Sequence, residues 1–241
     1  MRYALISDVH SNLEALNAVI EKVKADKVDK VIILGDIVGY GPDPNECIDT
    51  LRKFADILIA GNHDHGAVGM TDISCFNNHA KAAIQWTTGV LSEENKAFLS
   101  SLPLTSTIKS RSIYLVHSSP KEPEEWEYLQ KAKDADANFK FFSETNCFIG
   151  HTHKPAIIEM APGGKITIYP GHSEIKPGCR YIINAGSVGQ PRDGNPDASY
   201  AIFDTDSVTI KRAAYDILLT QKKMKDAGLP SYLIDRLSEG R

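Results

Sequence analysis

The sequence predicts an α/β protein, a four-layer α/β/β/α sandwich of two mixed sheets flanked by helices. Three observations carry that expectation. Over the first 60 residues, short apolar runs alternate with segments of helical periodicity in β-α-β-α-β order, which implies parallel strands joined by right-handed crossovers. Residues 31–34 are apolar at each position and too few for a helix, the pattern of a strand buried on both faces. After residue 103 the chain changes to short strands separated by turn residues, which reads as a second, largely antiparallel set. No Pro/Gly/Ser-rich linker divides the 241 residues, so one domain over 1–241 is expected, with a helical insertion at about 72–102 and a C-terminal helical tail at about 216–241.

In chain order, residues 2–7 form the first strand. Leu13, Leu16, Val19, Ile20 and Val23 then recur at helical spacing over 12–26, with Asn12 as the expected N-cap. The second strand ends at Gly35, which turns tightly and leaves Asp36 just past the carboxyl end of a parallel strand, where open α/β sheets place ligands. A helix over 44–52 has Asp43 as its expected cap and Pro44 at its first position. A third strand at 57–60 leads into Gly61, Asn62, His63 and Asp64. In the insertion, Ala80, Ala83, Ile84 and Trp86 mark one helix and Ala97, Phe98 and Leu102 another, capped by Ser92 with acids in its first turn. A hairpin at 104–109 and 113–117 is followed by a polar loop, then a broken helix over 128–142. Strands at 147–149, 156–160 and 165–169 are expected, with 180–184, 199–204 and 208–213 completing the second set. The tail from 216 reads as amphipathic helix.

Five strand ends run into oxygen and nitrogen ligands: Asp8 and His10, Asp36, Asn62 and His63, His117, and His151 and His153. One Asp after a strand is ordinarily a turn or helix cap, and lone histidines are ordinarily surface. Five such ends in one chain are different, because they can deliver carboxylates and imidazoles to one place. Such donors suit Mn, Fe, Zn, Ni or Co better than Ca or Mg, which favour oxygen alone.

The blocks D-x-H, G-D, G-N-H-D, a single His and G-H-T-H, in that order and spread over residues 1–205, resemble the calcineurin-like metallophosphoesterase family, in particular its small bacterial phosphodiesterase and phosphatase branch. The resemblance implies two divalent transition metal ions, Mn or Fe favoured. Asp8, His10, Asp36 and His153 would hold the first, and Asp36, Asn62, His117 and His151 the second. It implies in-line attack on phosphorus by a hydroxide shared between the ions, with His63 protonating the leaving oxygen and Asp64 orienting that imidazole. The helical insertion would lie over or beside the site. The expected substrate is a small phosphodiester or phosphomonoester, possibly nucleotide-derived. The alternatives are a protein phosphatase, a dinucleoside polyphosphate hydrolase, or a catalytically silent scaffold of the same fold.

Departures from the family pattern narrow this list. Gly39, Tyr40 and Gly41 stand where protein phosphatases carry Asp-Arg-Gly, so a bidentate phosphate clamp is missing. Dinucleoside polyphosphate hydrolases usually keep that Arg too. Arg192, in the turn-rich stretch 184–192, is the candidate substitute. Asn62, His63, Tyr40 and Asn12 are further substrate-binding candidates, with Ser11 at the rim. His65, His79 and His172 lack motif support, the last expected in a turn, and Trp86 and Trp126 are read as packing residues.

Composition excludes other classes. A net charge of −4 with no Lys/Arg cluster gives no footprint for a nucleic-acid polymer. Hydrophobic content of 42% beside 24% charged residues argues against disorder or a membrane span. Cys47, Cys75, Cys147 and Cys179 have no C-x-x-C spacing and are expected to be free buried thiols. The first strand begins at once, with Asp8 directly after it, so no signal peptide is expected and the location should be cytoplasmic.

Overall fold

In the computed structural model, which describes residues 1–241, strand β1 (Tyr3–Ile6) sends Ala4 and Ile6 into one apolar core and Tyr3 and Leu5 into another. Side chains alternate across a strand, so an unbroken apolar run must be covered on both faces. After α1 (Leu13–Ala25), strand β2 (Lys30–Ile33) repeats the split: Val31 and Ile33 join the first core, Ile32 the second. Helix α2 (Pro44–Phe54) leads to β3 (Ile57–Leu58) and the short α3 (Asn62–Ala67). The insertion consists of α4 (Asn78–Val90) and α5 (Glu93–Ser101). Strands β4 (Thr105–Ile108) and β5 (Ile113–Val116) form the hairpin, and α6 (Ala132–Asn138) precedes β6 (Asn146–Ile149), β7 (Ala156–Met160) and β8 (Ile166–Tyr169). The chain closes with β9 (His172–Glu174), β10 (Arg180–Asn184), β11 (Ala198–Phe203), β12 (Ser207–Ala213), α7 (Ile217–Asp226) and α8 (Ser231–Asp235).

Two mixed six-stranded sheets result, ordered β3-β2-β1-β11-β12-β9 and β4-β5-β6-β10-β7-β8. The first core packs α1 and α2 against the first sheet, and the second lies between the sheets, where Leu5, Ile32, Leu115, Phe148 and Ile183 meet. A third, with Phe139 and Ala135 against Cys147, Ile149 and Ile182, puts α6 on the outer face of the second sheet. The four predicted layers are present. No helix is long and apolar enough to cross a membrane.

Several local expectations change. β11 and β12 join the first sheet, not a second set, because β11 pairs antiparallel with β1, Leu5 opposite Ala201. β10 runs parallel to β6. Residues around His172 form edge strand β9 rather than a turn, its Ser173 paired with Val208. The helix expected over 128–142 shrinks to α6, leaving Tyr128 in a loop. Asn12 and Ser92 cap α1 and α5 through Ala15 N (3.1 Å) and Asn95 N (3.2 Å). Asp43 sits at the N-cap of α2 without capping it, since its carboxylate pairs with Lys223 of α7, which also holds Glu14 of α1 at 2.8 Å. Cys47, Cys147 and Cys179 are buried, whereas Cys75 is exposed.

Phe148 is fully buried between the sheets, edge-to-face with Phe203 at 5.0 Å. Phe148→Ala should cost about 3–5 kcal/mol of stability. Urea unfolding measures it, and a loss below about 1 kcal/mol would mean the inter-sheet core is not packed as described.

Candidate metal centre

The carboxyl ends of the parallel strands converge. Asp8 and His10 follow β1, Asp36 follows β2, Asn62 and His63 open α3 after β3, His117 follows β5, and His151 and His153 follow β6. All eight are buried. Ligand atoms of Asp8, His10, Asp36 and His153 lie within 4.8 Å of one another, as do those of Asp36, His117 and His151. Asp36 belongs to both sets.

The imidazoles are held with one nitrogen free. Nδ1 donates to a backbone carbonyl in His10 (Val38 O, 3.1 Å), His117 (Leu34 O, 2.6 Å) and His153 (Gln190 O, 2.6 Å). A carbonyl can only accept, so each neutral ring carries its proton on Nδ1 and its lone pair on Nε2, and in His117 a second proton on Nε2 faces Asp36 Oδ2 at 3.2 Å. His151 is reversed: its Nε2 donates to Trp126 O at 2.9 Å, freeing Nδ1. His10 Nε2 and His153 Nε2 stand 3.0 Å apart, two lone pairs facing each other. Neutral rings repel in that geometry, and a cation between them reverses the sign. Asn62 Oδ1 is a buried acceptor with no hydrogen-bond partner, which costs about 1–3 kcal/mol unless a ligand satisfies it. The donor set of imidazoles, carboxylates and an amide oxygen therefore fits divalent transition cations.

Backbone conformation confirms that the loops are specialised. Asp8, His10, Asp36, His151 and His153 all have φ between 48° and 64°, and Ser11 and Tyr40 join them, seven of the eleven non-glycine residues with positive φ. That region costs roughly 1–2 kcal/mol for an L residue, and Asp and His enter it more readily than most. Two glycines permit the close approach. A Cβ on Gly61 would meet Asp36 Oδ1 at 2.1 Å, and one on Gly150 would meet Ser7 Oγ at 1.9 Å and Asp8 Oδ2 at 2.6 Å. Backbone amides orient both carboxylates: His63 N donates to Asp36 Oδ1 (2.8 Å), and His151 N to Asp8 Oδ2 (3.1 Å).

Burial pushes the Asp8 carboxyl up to about 7, against the pull of His117. Burial also works against ionised Asp36, yet His117 and the neighbouring imidazoles hold it well below the usual carboxylate range. His117, whose Nε2 lies 3.2 Å from Asp36 Oδ2, rises to about 9 because that carboxylate outweighs burial. Burial takes His151 down to about 3 and His63 to about 4, and holds His10 and His153 well below 6.5.

The remaining predicted residues divide. His63 packs between Tyr40 (4.4 Å between ring centres), His10 (4.8 Å) and Phe76 (5.1 Å), with Nδ1 buried and unpartnered. Asp64 does not orient it: its Oδ1 accepts from Ile37 N (2.9 Å) and Val38 N (3.1 Å), and its Oδ2 from Gly61 N (2.9 Å), so the carboxylate ties two ligand loops together. Arg192 reaches the site, its guanidinium 5.6 Å from the Tyr40 ring centre and its Nη2 donating to Gln190 Oε1 at 2.8 Å. The Asn12 side chain is engaged within the fold, its Oδ1 capping α1 and its Nδ2 donating to Gly189 O at 2.9 Å. His65 is buried, edge-on to Trp126, while His79 stacks on Tyr232 and His172 bonds Thr209, both exposed.

A cleft of about 360 Å³ opens beside the centre, bordered by Tyr40, Asn62, His63 and His151 and walled by Phe76, Trp126 and Tyr128, with Cys75, Asn77, Ala80 and Glu125. The insertion's leading segment thus lies beside the site. Trp126 is not simply a packing residue, since its carbonyl sets the His151 tautomer. Two aromatics within an otherwise polar, Pro-rich loop were the available signal for this wall.

The sequence model of the calcineurin-like phosphoesterase superfamily domain matches residues 1–208. The chain is 42% identical over 242 residues to the uncharacterized protein MJ0912 of Methanocaldococcus jannaschii, covering 99% of this chain and 98% of that one. It is 23% identical over 221 residues to phosphodiesterase YfcE of Escherichia coli, covering 87% and 91%. Among solved structures, a metallophosphoesterase from Sphaerobacter thermophilus superposes with a TM-score of 0.87 at 43% identity over 100% of both chains. The hypothetical protein PH1004 from Pyrococcus horikoshii OT3 does so with 0.79 at 24% identity, over 100% of this chain and 98% of that one.

Metal loading at Asp8 and His117 would require both groups without their protons. With pKa values of about 7 and about 9, raising the pH removes those protons beforehand, so manganese should bind more tightly from about pH 6 to about pH 9. At neutral pH, titration calorimetry in buffers of different ionisation enthalpy should detect net proton release, and net uptake would contradict the assignment. Gly150→Ala should weaken metal binding by about 10–100-fold through displacement of Asp8, and unchanged affinity would refute that close approach.

Proposed function

We propose that this chain, which belongs to the calcineurin-like phosphoesterase superfamily, hydrolyses a small phosphodiester or phosphomonoester with two divalent transition ions gathered around Asp36. The observation that carries the reading is the membership of Asp36 in both donor clusters. Asp8, His10, Asp36 and His153 would hold one ion, and Asp36, Asn62, His117 and His151 the other. The E. coli relative is a phosphodiesterase and the Sphaerobacter structure a metallophosphoesterase, which supports the ester class. When bound, such ions neutralise a phosphate and lower the pKa of water into the neutral range.

The chain's own side chains supply the rest. Buried N–H donors, Nδ1 in His10, His117 and His153 and Nε2 in His151, fix each ligand imidazole before substrate arrives, so little reorganisation accompanies binding. His63 is neutral near pH 7, with a pKa of about 4 set mainly by burial. An anionic ester in the cleft favours its protonated form, and the ring then donates that proton to the departing oxygen. Arg192 offers a guanidinium whose Nε is buried and unpartnered, suited to hold a nonbridging phosphate oxygen. Tyr40 and Phe76 pack against the His63 ring and hold it at the edge of the cleft.

Manganese-loaded protein should hydrolyse bis(p-nitrophenyl) phosphate and lose that activity on chelation, whereas inactivity with several metals and esters would favour a silent scaffold. In His63→Ala both metal sites should remain. An alkyl ester, whose leaving group needs the proton, should slow by about 10²–10⁴-fold and a nitrophenyl ester far less. Equal losses would remove His63 from the acid role.

A further inference from the structure

We propose that the cleft beside the metal centre seats a nucleobase bearing an exocyclic amino group, so that the ester is a nucleoside phosphoester; this rests on the hydrolase reading above. Flat rings make the walls. Phe76 comes from the segment before α4, Trp126 and Tyr128 from the loop after β5, and Tyr40 from the loop after β2. Tyr128 lies nearly parallel on His151, 4.1 Å between ring centres and 19° between planes, yet is 53% exposed, so its outer face is open to a second planar ring. Trp126 is fixed as a wall by donation from its Nε1 to Thr71 Oγ1 at 3.2 Å. Offset stacking on such faces favours planar aromatic groups over the flexible glycerol or sugar chains of other phosphoesters.

Glu125 settles which planar group fits. It is the only acidic residue bordering the cleft, and its carboxylate makes no ion pair or hydrogen bond within the protein. A carboxylate accepts hydrogen bonds and repels anions, so this rim disfavours a second phosphate and favours N–H donors. Adenine, guanine and cytosine present an exocyclic amino group there. Uracil presents one ring N–H flanked by two carbonyl oxygens, which a carboxylate repels. Asn77 adds one more donor, its Nδ2, because its Oδ1 is committed to capping α4 through His79 N (3.1 Å) and Ala80 N (3.0 Å).

The chemistry orients the ligand. His63 borders the same cleft, so the group seated there is the one that leaves. Water oxygen forms the new bond to phosphorus, the bond from phosphorus to the nucleoside oxygen breaks, and that electron pair takes the His63 proton. Donation returns His63 to its neutral form, one of water's protons passes to solvent and replaces the one His63 took up on ester binding, and the other stays with the phosphate product.

The test uses the full chain loaded with manganese, with tryptophan fluorescence reporting binding of nucleoside monophosphates and a Trp126→Phe variant assigning the signal to the cleft. Adenosine, guanosine and cytidine monophosphates should bind about tenfold more tightly than uridine monophosphate or glycerol phosphate, in keeping with one hydrogen bond to a charged acceptor. Dinucleotides with the same bases should show the same order in kcat/KM. Glu125→Gln, which keeps an acceptor oxygen but loses the charge, should reduce the base preference in binding and in dinucleotide kcat/KM, and an undiminished preference in that variant would overturn the seat. Hydrolysis of the nitrophenyl ester without any base preference overturns the seat and spares the hydrolase reading. Selective nucleotide binding without hydrolysis of any ester overturns the hydrolase reading and keeps the seat. Equal binding of all four nucleotides and glycerol phosphate overturns the seat whatever the activity.

Discussion

Two imidazole lone pairs aimed at each other across 3.0 Å, from His10 and His153, set the terms for the rest of the molecule. Both rings have committed their other nitrogen to a backbone carbonyl, so neither can rotate its proton into the gap without abandoning that bond. Burial keeps both rings neutral. Asp8 and Asp36 stand beside them, and Asp36 also faces His117. A cation makes such a cluster of acceptors favourable, and in the proposed dinuclear reading the shared carboxylate would let a second cation sit nearby.

Holding the donors in place has a cost in local stability. Ligand residues occupy left-handed backbone, two carboxyls, Asp8 and Asp64, are pushed up to about 7 by burial, and Asn62 Oδ1 goes unpaired. The sandwich offsets that cost. Strands buried on both faces anchor the loop bases, and Asp64 clamps the Asp36 loop to the start of α3 through three amides. The C-terminal helices add a brace: Lys223 joins α1 to the loop before α2, and Thr220 bonds Asn12 at 3.2 Å. Strain is thus concentrated in the loops around the site, which hold seven of the eleven non-glycine residues with positive φ, while the strands beneath them stay regular.

The convergence of Asp8, His10, Asp36, His117, His151 and His153 was legible in the sequence because each follows an apolar run, and a strand end fixes where the next residues can go. The layers were legible for the same reason, since a run such as residues 31–34 has no face to spare for solvent. Strand partners were not: β11 reads the same whether it pairs with β1 or with the second sheet, because hydrophobic alternation reports burial and not neighbours. Edge strand β9 has one buried residue in three and no pattern to find. Adjacency of Asp64 to His63 in sequence offered no sign that its carboxylate would be taken up by the amides of Ile37, Val38 and Gly61. The aromatic cleft drew Trp126 and Tyr128 from a segment whose composition signals loop, and only the fold brings them against His151.

The account depends on one carboxylate being shared by two cations. Metal content of the manganese-reconstituted protein, with the electron paramagnetic resonance signature of exchange coupling between the ions, measures this directly. Two ions per chain with a coupled spectrum, reduced to one or fewer uncoupled ions in Asp36→Asn, is the result expected. One isolated ion in the unaltered chain, or two coupled ions that survive loss of the Asp36 charge, would contradict it.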